Sequence, residues 1–310
     1  PDSGVLWLSQ IPPPERADQV KSYGMHHLPA LKSGYGTTKL ALWLRQGDSV
    51  VDADYPDQPD FDKFDTRVLS PNGEEINHKF DRVAGGMELT LDGSEEGFYN
   101  AYLIGRKIEN ETLKIVTIQS ELINHSCRNG HAHVSRKLGP IYGGNDIPLE
   151  IIRQRFRWED FHTFIQSGDV VEYQLLLHGD PMPGVTVTLI THQDWQKTQV
   201  TDIDGKVSFE FIGEYFNRDK EFHRGDEYYY LLVADYSVNE SGEYQGQPYW
   251  RIEYQSTSSE KYRAATEIYT SSVWGLATML LTIGSIALAV FVYRRKTSRG
   301  YREIIFSEKD

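Results

Sequence analysis

The chain has 310 residues and carries 45 Asp+Glu against 32 Lys+Arg, a formal net charge of −13. Such a surface argues against nucleic acid as a partner, because phosphates need basic patches to neutralise them. Its one cysteine, Cys127, excludes any disulfide within the chain, so a hydrophobic core must hold the fold together unaided.

In chain order, Val5 to Leu8 (VLWL) predicts a first strand, stopped by Ile11-Pro12-Pro13-Pro14 in an extended, polyproline-like segment. Glu15 to Lys21 has a helical look, and Lys39 to Leu44 (KLALWL) is the next strand, ended by Gly47-Asp48. Asp48 to Asp65 is the most acidic stretch. It has two readings, an oxygen-rich loop that holds calcium or a solvated loop, and its spacing lacks the glycine turn and closing Glu of an EF-hand. Arg67 to Leu69 runs into the turn Pro71-Asn72-Gly73, and Met87 to Leu91, Phe98 to Ile104 and Leu113 to Ile118 follow as alternating strands. Turn formers from Leu138 to Gly144 mark a boundary.

Beyond it, strands are predicted at Leu149–Arg153, Val170–Leu177, Val185–Ile190, Lys206–Phe211, Tyr228–Ala234 and Tyr249–Tyr254, with a helical look only at Arg157–Phe164. The turn Thr201-Asp202-Ile203-Asp204-Gly205 has two carboxylates, but tight turns select Asp and Gly for backbone reasons. The fold class is therefore an all-β ectodomain of two tandem β-sandwich domains, residues 1–140 and 145–268, followed by one transmembrane helix.

That helix, residues 272–293, contains an uncharged run from Val273 to Tyr293, long enough for a hydrocarbon core of about 30 Å. Trp274 and Tyr293 stand as interfacial anchors, and Arg294, Arg295 and Lys296 follow at once, which places the tail 294–310 in the cytoplasm. The expected location is a cell inner membrane, single-pass, with the N-terminal bulk periplasmic. An external N-terminus requires a secretory signal, so the numbering is expected to begin at a mature or trimmed end. Gly284 allows close helix packing without forming a GxxxG motif, and Ile304-Ile305-Phe306 is an apolar patch in a short tail. The expected partners are the lipid bilayer and integral membrane subunits met through helix and tail.

No Gly-x-Ser-x-Gly elbow, His-Glu-x-x-His helix or P-loop is present, and no enzymatic activity is expected. The one constellation with ligand chemistry is His125, Cys127, His131 and His133, joined by His26-His27 if the fold brings them together. Imidazole and thiolate suit nickel, cobalt, copper or zinc; the other reading is a polar hairpin whose histidines hydrogen-bond or face solvent. Tyr228 to Tyr230, with Tyr249, Trp250 and Tyr254, line a ligand groove or serve as ordinary strand aromatics.

From Gly168 to Phe209 the order is Gly-Asp, strand, Gly179 to Gly184 (GDPMPG), Val185-Thr-Val-Thr-Leu189, Thr201-Asp202 to Gly205, then a strand with Phe209. This resembles the transthyretin-like or carboxypeptidase-regulatory-like sandwich. The wider layout resembles the periplasmic accessory component of nickel/cobalt energy-coupling uptake transporters, which implies a non-catalytic, membrane-anchored accessory subunit for uptake of nickel or cobalt. The alternative is a structural scaffold that braces a photosynthetic or respiratory membrane complex. No cofactor is expected beyond a transition metal ion.

Overall fold

The computed structural model describes residues 4–23, 28–31, 39–61, 63–93, 95–125, 139–213, 227–298, 300, 304 and 306, with the backbone alone at 21–23, 28–31 and 266–272. The first half runs β1 (Val5–Ser9), β2 (Val20–Tyr23), β3 (Leu28–Leu31), β4 (Lys39–Gly47), β5 (Phe64–Leu69) and β6 (His78–Val83). It continues with β7 (Gly86–Asp92), β8 (Gly97–Glu109) and β9 (Thr112–Asn124). The second half has β10 (Leu149–Arg153), β11 (Ile165–Gln166), β12 (Val170–Leu177), β13 (Asp180–Pro181), β14 (Thr186–Ile190) and β15 (Gln196–Val200). Then come β16 (Lys206–Glu210), β17 (Tyr228–Val238), β18 (Gly242–Tyr244), β19 (Gln247–Tyr249), β20 (Arg251–Arg263) and the helix α1 (Thr266–Thr297). The fold is thus all-β with one C-terminal apolar helix, which belongs to a second compact unit.

Three large sheets make up the β unit. A six-stranded sheet has the order β2-β3-β4-β7-β6, with β1 also on β4; a four-stranded sheet is β10-β12-β13 with β16 on β12. Between them lies an eight-stranded sheet, β15-β14-β17-β20-β9-β8-β5, with β11 beside β20, while β18 and β19 form a separate hairpin. Past residues 138–144, where the sequence marks a boundary, β10 belongs to the four-stranded sheet. Yet β9 stays hydrogen-bonded in parallel to β20 from Thr112↔Arg251 to Ser120↔Ser259, so strands of both halves share one sheet.

Side-chain alternation puts a different layer on each face of that sheet. On β9, Ile118 and Leu122 pack with Leu40, Leu42, Leu44, Leu89 and Leu91 of the six-stranded sheet. One residue on, Gln119 faces the four-stranded sheet: the Ile151 N–H donates to its Oε1 at 3.0 Å, and its own amide N–H donates to the Ile151 carbonyl. Each fully buried large apolar side chain in these layers contributes about 1.5–3 kcal/mol.

The middle of β20 is a buried run of polar residues. Ser256, Thr257, Ser258 and Ser259 are all buried, and β1 crosses over them with one edge unpaired. The Thr257 hydroxyl donates to the Leu6 carbonyl and the Ser259 hydroxyl to the Leu8 carbonyl, each at 2.8 Å. Two edge carbonyls that would otherwise be buried unsatisfied are matched, which explains why hydroxyl residues occupy these positions.

The two segments with a helical look differ from the reading. Pro14–Gln19 is one short 3-10 helix, and the chain then turns extended at Val20. Arg16 of that helix meets the buried Glu88 carboxylate at 2.8 Å, and Trp43 Nε1–H donates to the same group at 2.9 Å. Residues 157–164 form turns, with no helix. The Glu159 side chain is drawn to Arg153 and Arg155, and Phe161 to Phe98, so tertiary contacts override local propensity there. The Thr201–Gly205 turn is structural: Asp202 Oδ1 accepts from the Asp204 and Lys206 amides at 2.9 and 2.8 Å. Gly205, at φ 70°, lies where a Cβ would meet the Leu175 carbonyl at 2.7 Å.

Candidate membrane anchor and buried polar sites

α1 has one candidate span, Val273–Thr297, long and apolar enough to cross a membrane. Its side chains from Val273 to Thr297 are exposed apart from the half-exposed Ala277, and Leu276, Leu280, Leu281, Ile283, Ile286 and Leu288 point in all directions around the axis. The few hydroxyls inside the run are turned onto the helix's own backbone. Thr278 donates to the Trp274 and Gly275 carbonyls at 2.9 Å, Ser285 to Leu281 at 2.7 Å, and Thr282 to Thr278. A helix satisfied in this way presents no bare polar group to a hydrocarbon medium. Trp274 and Tyr293 stand exposed near its ends, Gly284 lies open within it, and Arg294, Arg295 and Lys296 fill the last turn. The cations complement the negative end of the helix dipole as well as flanking the span. Ile304 and Phe306 of the tail are exposed.

Of the four residues singled out as metal ligands, Cys127, His131 and His133 lie outside the described residues, as do His26 and His27. His125, at the end of β9, has a buried ring stacked on Phe161, centroids 4.9 Å apart and planes at 12°, with His162 edge-on at 5.0 Å. Its Nδ1 is 3.7 Å from a Glu96 carboxylate oxygen. Among the described residues no three His, Cys, Asp or Glu side chains converge as metal ligands. In the acidic stretch, Asp57, Asp60 and Asp65 pair with Arg82, Lys107 and Arg106 respectively, the last at 2.6 Å. The aromatics divide by face: Tyr230 is buried against Phe211, Tyr236 stacks on Tyr254, and Trp250 is exposed.

The most concentrated chemistry lies between the central and four-stranded sheets. The Arg153 guanidinium grips Glu159 with two hydrogen bonds of 2.7 and 3.0 Å, and its Nε lies 3.2 Å from Glu260, off the line of a hydrogen bond. Arg155 donates to Glu121 at 2.7 Å and lies flat over Phe98, 3.6 Å from the ring centre. The Tyr230 hydroxyl donates to Glu260 at 2.9 Å and is itself 2.7 Å from the Tyr173 hydroxyl. Burial pushes the Glu121 carboxyl up, yet Arg155 and Arg153 outweigh it and hold it below the ordinary range. Burial, with Glu121 nearby, leaves the Glu260 carboxyl raised in spite of Arg153. A second buried carboxyl, Glu150, accepts from the Gly143 amide at 2.9 Å and from the Tyr102 hydroxyl, both on Oε1. Burial pushes it up to about 7. In the sequence, Tyr102, Glu150, Arg153, Tyr173 and Tyr230 fall in predicted strands and Glu159 in the stretch with a helical look, while Glu121, Arg155 and Glu260 fall in no predicted element.

These arrangements are closed. Each carboxylate of the larger cluster is engaged by protein, and the adjoining cavity of about 70 Å³ has no room for a substrate. Their chemistry is that of a pin between layers. No family model and no curated protein matches the chain. Among solved structures, one similar to it is a 1.5-MDa bacterial ice-binding adhesin, at 11% identity and TM-score 0.22, over 84% of this chain and 64% of that one. Another is a Ca2+-stabilized adhesin of an Antarctic bacterium, at 13% identity and TM-score 0.20, over 85% of this chain and 49% of that one. The chain spans less than two thirds of either, and the likeness is too slight to carry over fold or function.

Proposed function

We propose that this chain is a non-catalytic, membrane-anchored accessory subunit, with its β-sheets on the periplasmic face and α1 and the tail docking it to integral membrane subunits. The observation that carries this reading is the α1 surface: apolar on every side, its hydroxyls self-satisfied, and closed by Arg294, Arg295 and Lys296. The basic end favours the cytoplasmic side for the tail. Uptake of nickel or cobalt is the finer form of the proposal. Its support is the resemblance of the wider chain layout, specific over Gly168 to Phe209, together with the imidazole and thiolate chemistry of His125, Cys127, His131 and His133.

Purification of the full chain from its native membrane in a mild detergent tests both levels. The accessory role predicts co-purifying integral membrane subunits that are lost when α1 is replaced by an unrelated span. The metal role predicts stoichiometric nickel or cobalt that disappears on His131→Ala with His133→Ala. Co-purification with a haem-bearing or pigment-bearing complex, free of nickel and cobalt, would replace the uptake role by a bracing one. Monomeric recovery under every mild condition would remove the accessory role.

A further inference from the structure

A separate feature of the β unit has the form of a ligand site. Among the described residues β1 covers the central sheet only as far as Leu6, and past it none of them covers the same face along β9, β20 and β17. Register aligns two rows there: Lys114, Glu253 and Ser237 in one, Val116, Gln255 and Asp235 in the next. The start of β1 and the loop carrying Asp60 and Phe61 form the opposite wall, and together they enclose a cleft of about 460 Å³. That is within the size of small-ligand sites, about 300–1,000 Å³.

The polar side chains of the cleft hold one another in place. Gln255 Nε2–H donates to Asp235 Oδ1 at 2.9 Å, and Arg251 donates to Ser237 Oγ at 2.9 Å while lying 3.3 Å from Glu253. Lys107 pairs with Asp60 and sits 5.2 Å from the centre of the Phe61 ring; Lys114 pairs with Glu109 at 2.5 Å. Cations and carboxylates in the lining balance, Lys107, Lys114 and Arg251 against Asp60, Asp235 and Glu253.

This balance selects the ligand. A charged ligand of either sign meets as many repulsive groups as attractive ones, and Lys107 with Asp60 and Arg251 with Glu253 are already paired. An apolar ligand strips water from six charged groups without replacing its hydrogen bonds. An extended peptide needs a free strand edge, but the β1 carbonyls of Leu6 and Leu8 are taken by Thr257 and Ser259. A neutral, hydroxyl-rich ligand avoids each cost. Its hydroxyls both donate and accept, so they replace water on planar amide, carboxylate and guanidinium groups whose orientation is fixed beforehand. The C–H face of a sugar ring meets the apolar wall of Phe61, Leu6 and Val116. From this juxtaposition we infer that the cleft between the start of β1 and the β9-β20-β17 face binds a neutral oligosaccharide.

The test is calorimetric titration of the full chain in a polyoxyethylene detergent, whose headgroup carries no sugar. The probes are four neutral tetrasaccharides, maltotetraose, cellotetraose, mannotetraose and chitotetraose, with sialyllactose and the cationic glucosamine tetramer as charged counterparts. The expected result is binding of at least one neutral probe, with a Kd of about 1 mM or tighter. Gln255→Ala and Asp235→Asn each weaken it at least about tenfold, Arg82→Ala outside the cleft leaves it unchanged, and all variants keep the parent circular-dichroism melting curve. Failure of all four neutral probes, tighter binding of a charged one, or binding indifferent to Gln255 and Asp235 overturns the proposal.

Discussion

Strand β20 is polar and buried, while helix α1 is apolar and exposed. In β20 the run from Gln255 to Ser259 has no hydrophobic residue, yet four of its five residues are buried. In α1 the run from Val273 to Tyr293 has no charged residue, yet its leucines and isoleucines stand open. Polarity alone therefore does not say which segment is inside; what decides is whether each backbone and hydroxyl group finds a partner in its surroundings. The Thr257 and Ser259 hydroxyls of β20 reach another strand, across 251 positions in the case of Thr257 and Leu6. Those of α1 reach their own helix three or four residues back, a solution that needs no neighbour and suits hydrocarbon.

The comparison breaks first at the charged end of β20. Arg153→Met leaves Glu260 without its ion-pair partner and Glu159 and Glu121 with Arg155 alone, and the expected loss is about 3–5 kcal/mol, read from the urea midpoint of the full chain in micelles. An unchanged midpoint would mean that the cluster is hydrated in solution. Next is the helix. Leu281→Arg sets a charge at the middle of the span, at a cost of about 2.5–3.5 kcal/mol, and carbonate extraction should release a fraction of the chain that the parent retains.

Glu150 sharpens the contrast between buried polar groups that are matched and one that is not, since its Oε2 has no hydrogen-bond partner among the described residues. Its folded-state value of about 7 exceeds the 4.5 of a free carboxyl, so the folded protein holds a proton that the unfolded chain releases. The stability this confers is complete below pH 4.5 and lost as pH rises through 7, a difference of about 2–3 kcal/mol between about pH 5 and pH 8. Glu150→Gln should flatten that slope in melting experiments between pH 5 and pH 8, a range of about three units. The smallest effect is expected at Thr257→Val, which strands the Leu6 carbonyl at a cost of about 1–2 kcal/mol by the same denaturation assay.

Much of the fold was legible because its strands alternate. Val170–Leu177 was bounded to the residue, and Phe98–Ile104 and Leu113–Ile118 fall inside β8 and β9. In β20 the sequence signal stops at Tyr254, because Gln255 to Ser259 has neither alternation nor apolar residues: Ser256 to Ser259 are buried, and the Thr257 and Ser259 hydroxyls satisfy another strand. The parallel pairing of β9 with β20 leaves no local mark, since nothing in either strand names a partner more than a hundred residues away. The anchor was legible because a membrane imposes its constraint on one continuous segment. The oligosaccharide cleft was not, because Phe61, Lys107, Gln255 and Asp235 become neighbours only once the sheet is assembled.

The β9–β20 seam also sets an order of events during synthesis. β9 is complete at Asn124, but the strand that covers its second edge ends at Arg263. At ordinary translation speeds of about 5–20 residues per second, that edge stays bare for about 7–28 s. A bare edge of such length is open to pairing with other chains until β20 arrives. Because β20 is followed within three residues by α1, the sheet closes only as the anchor itself emerges.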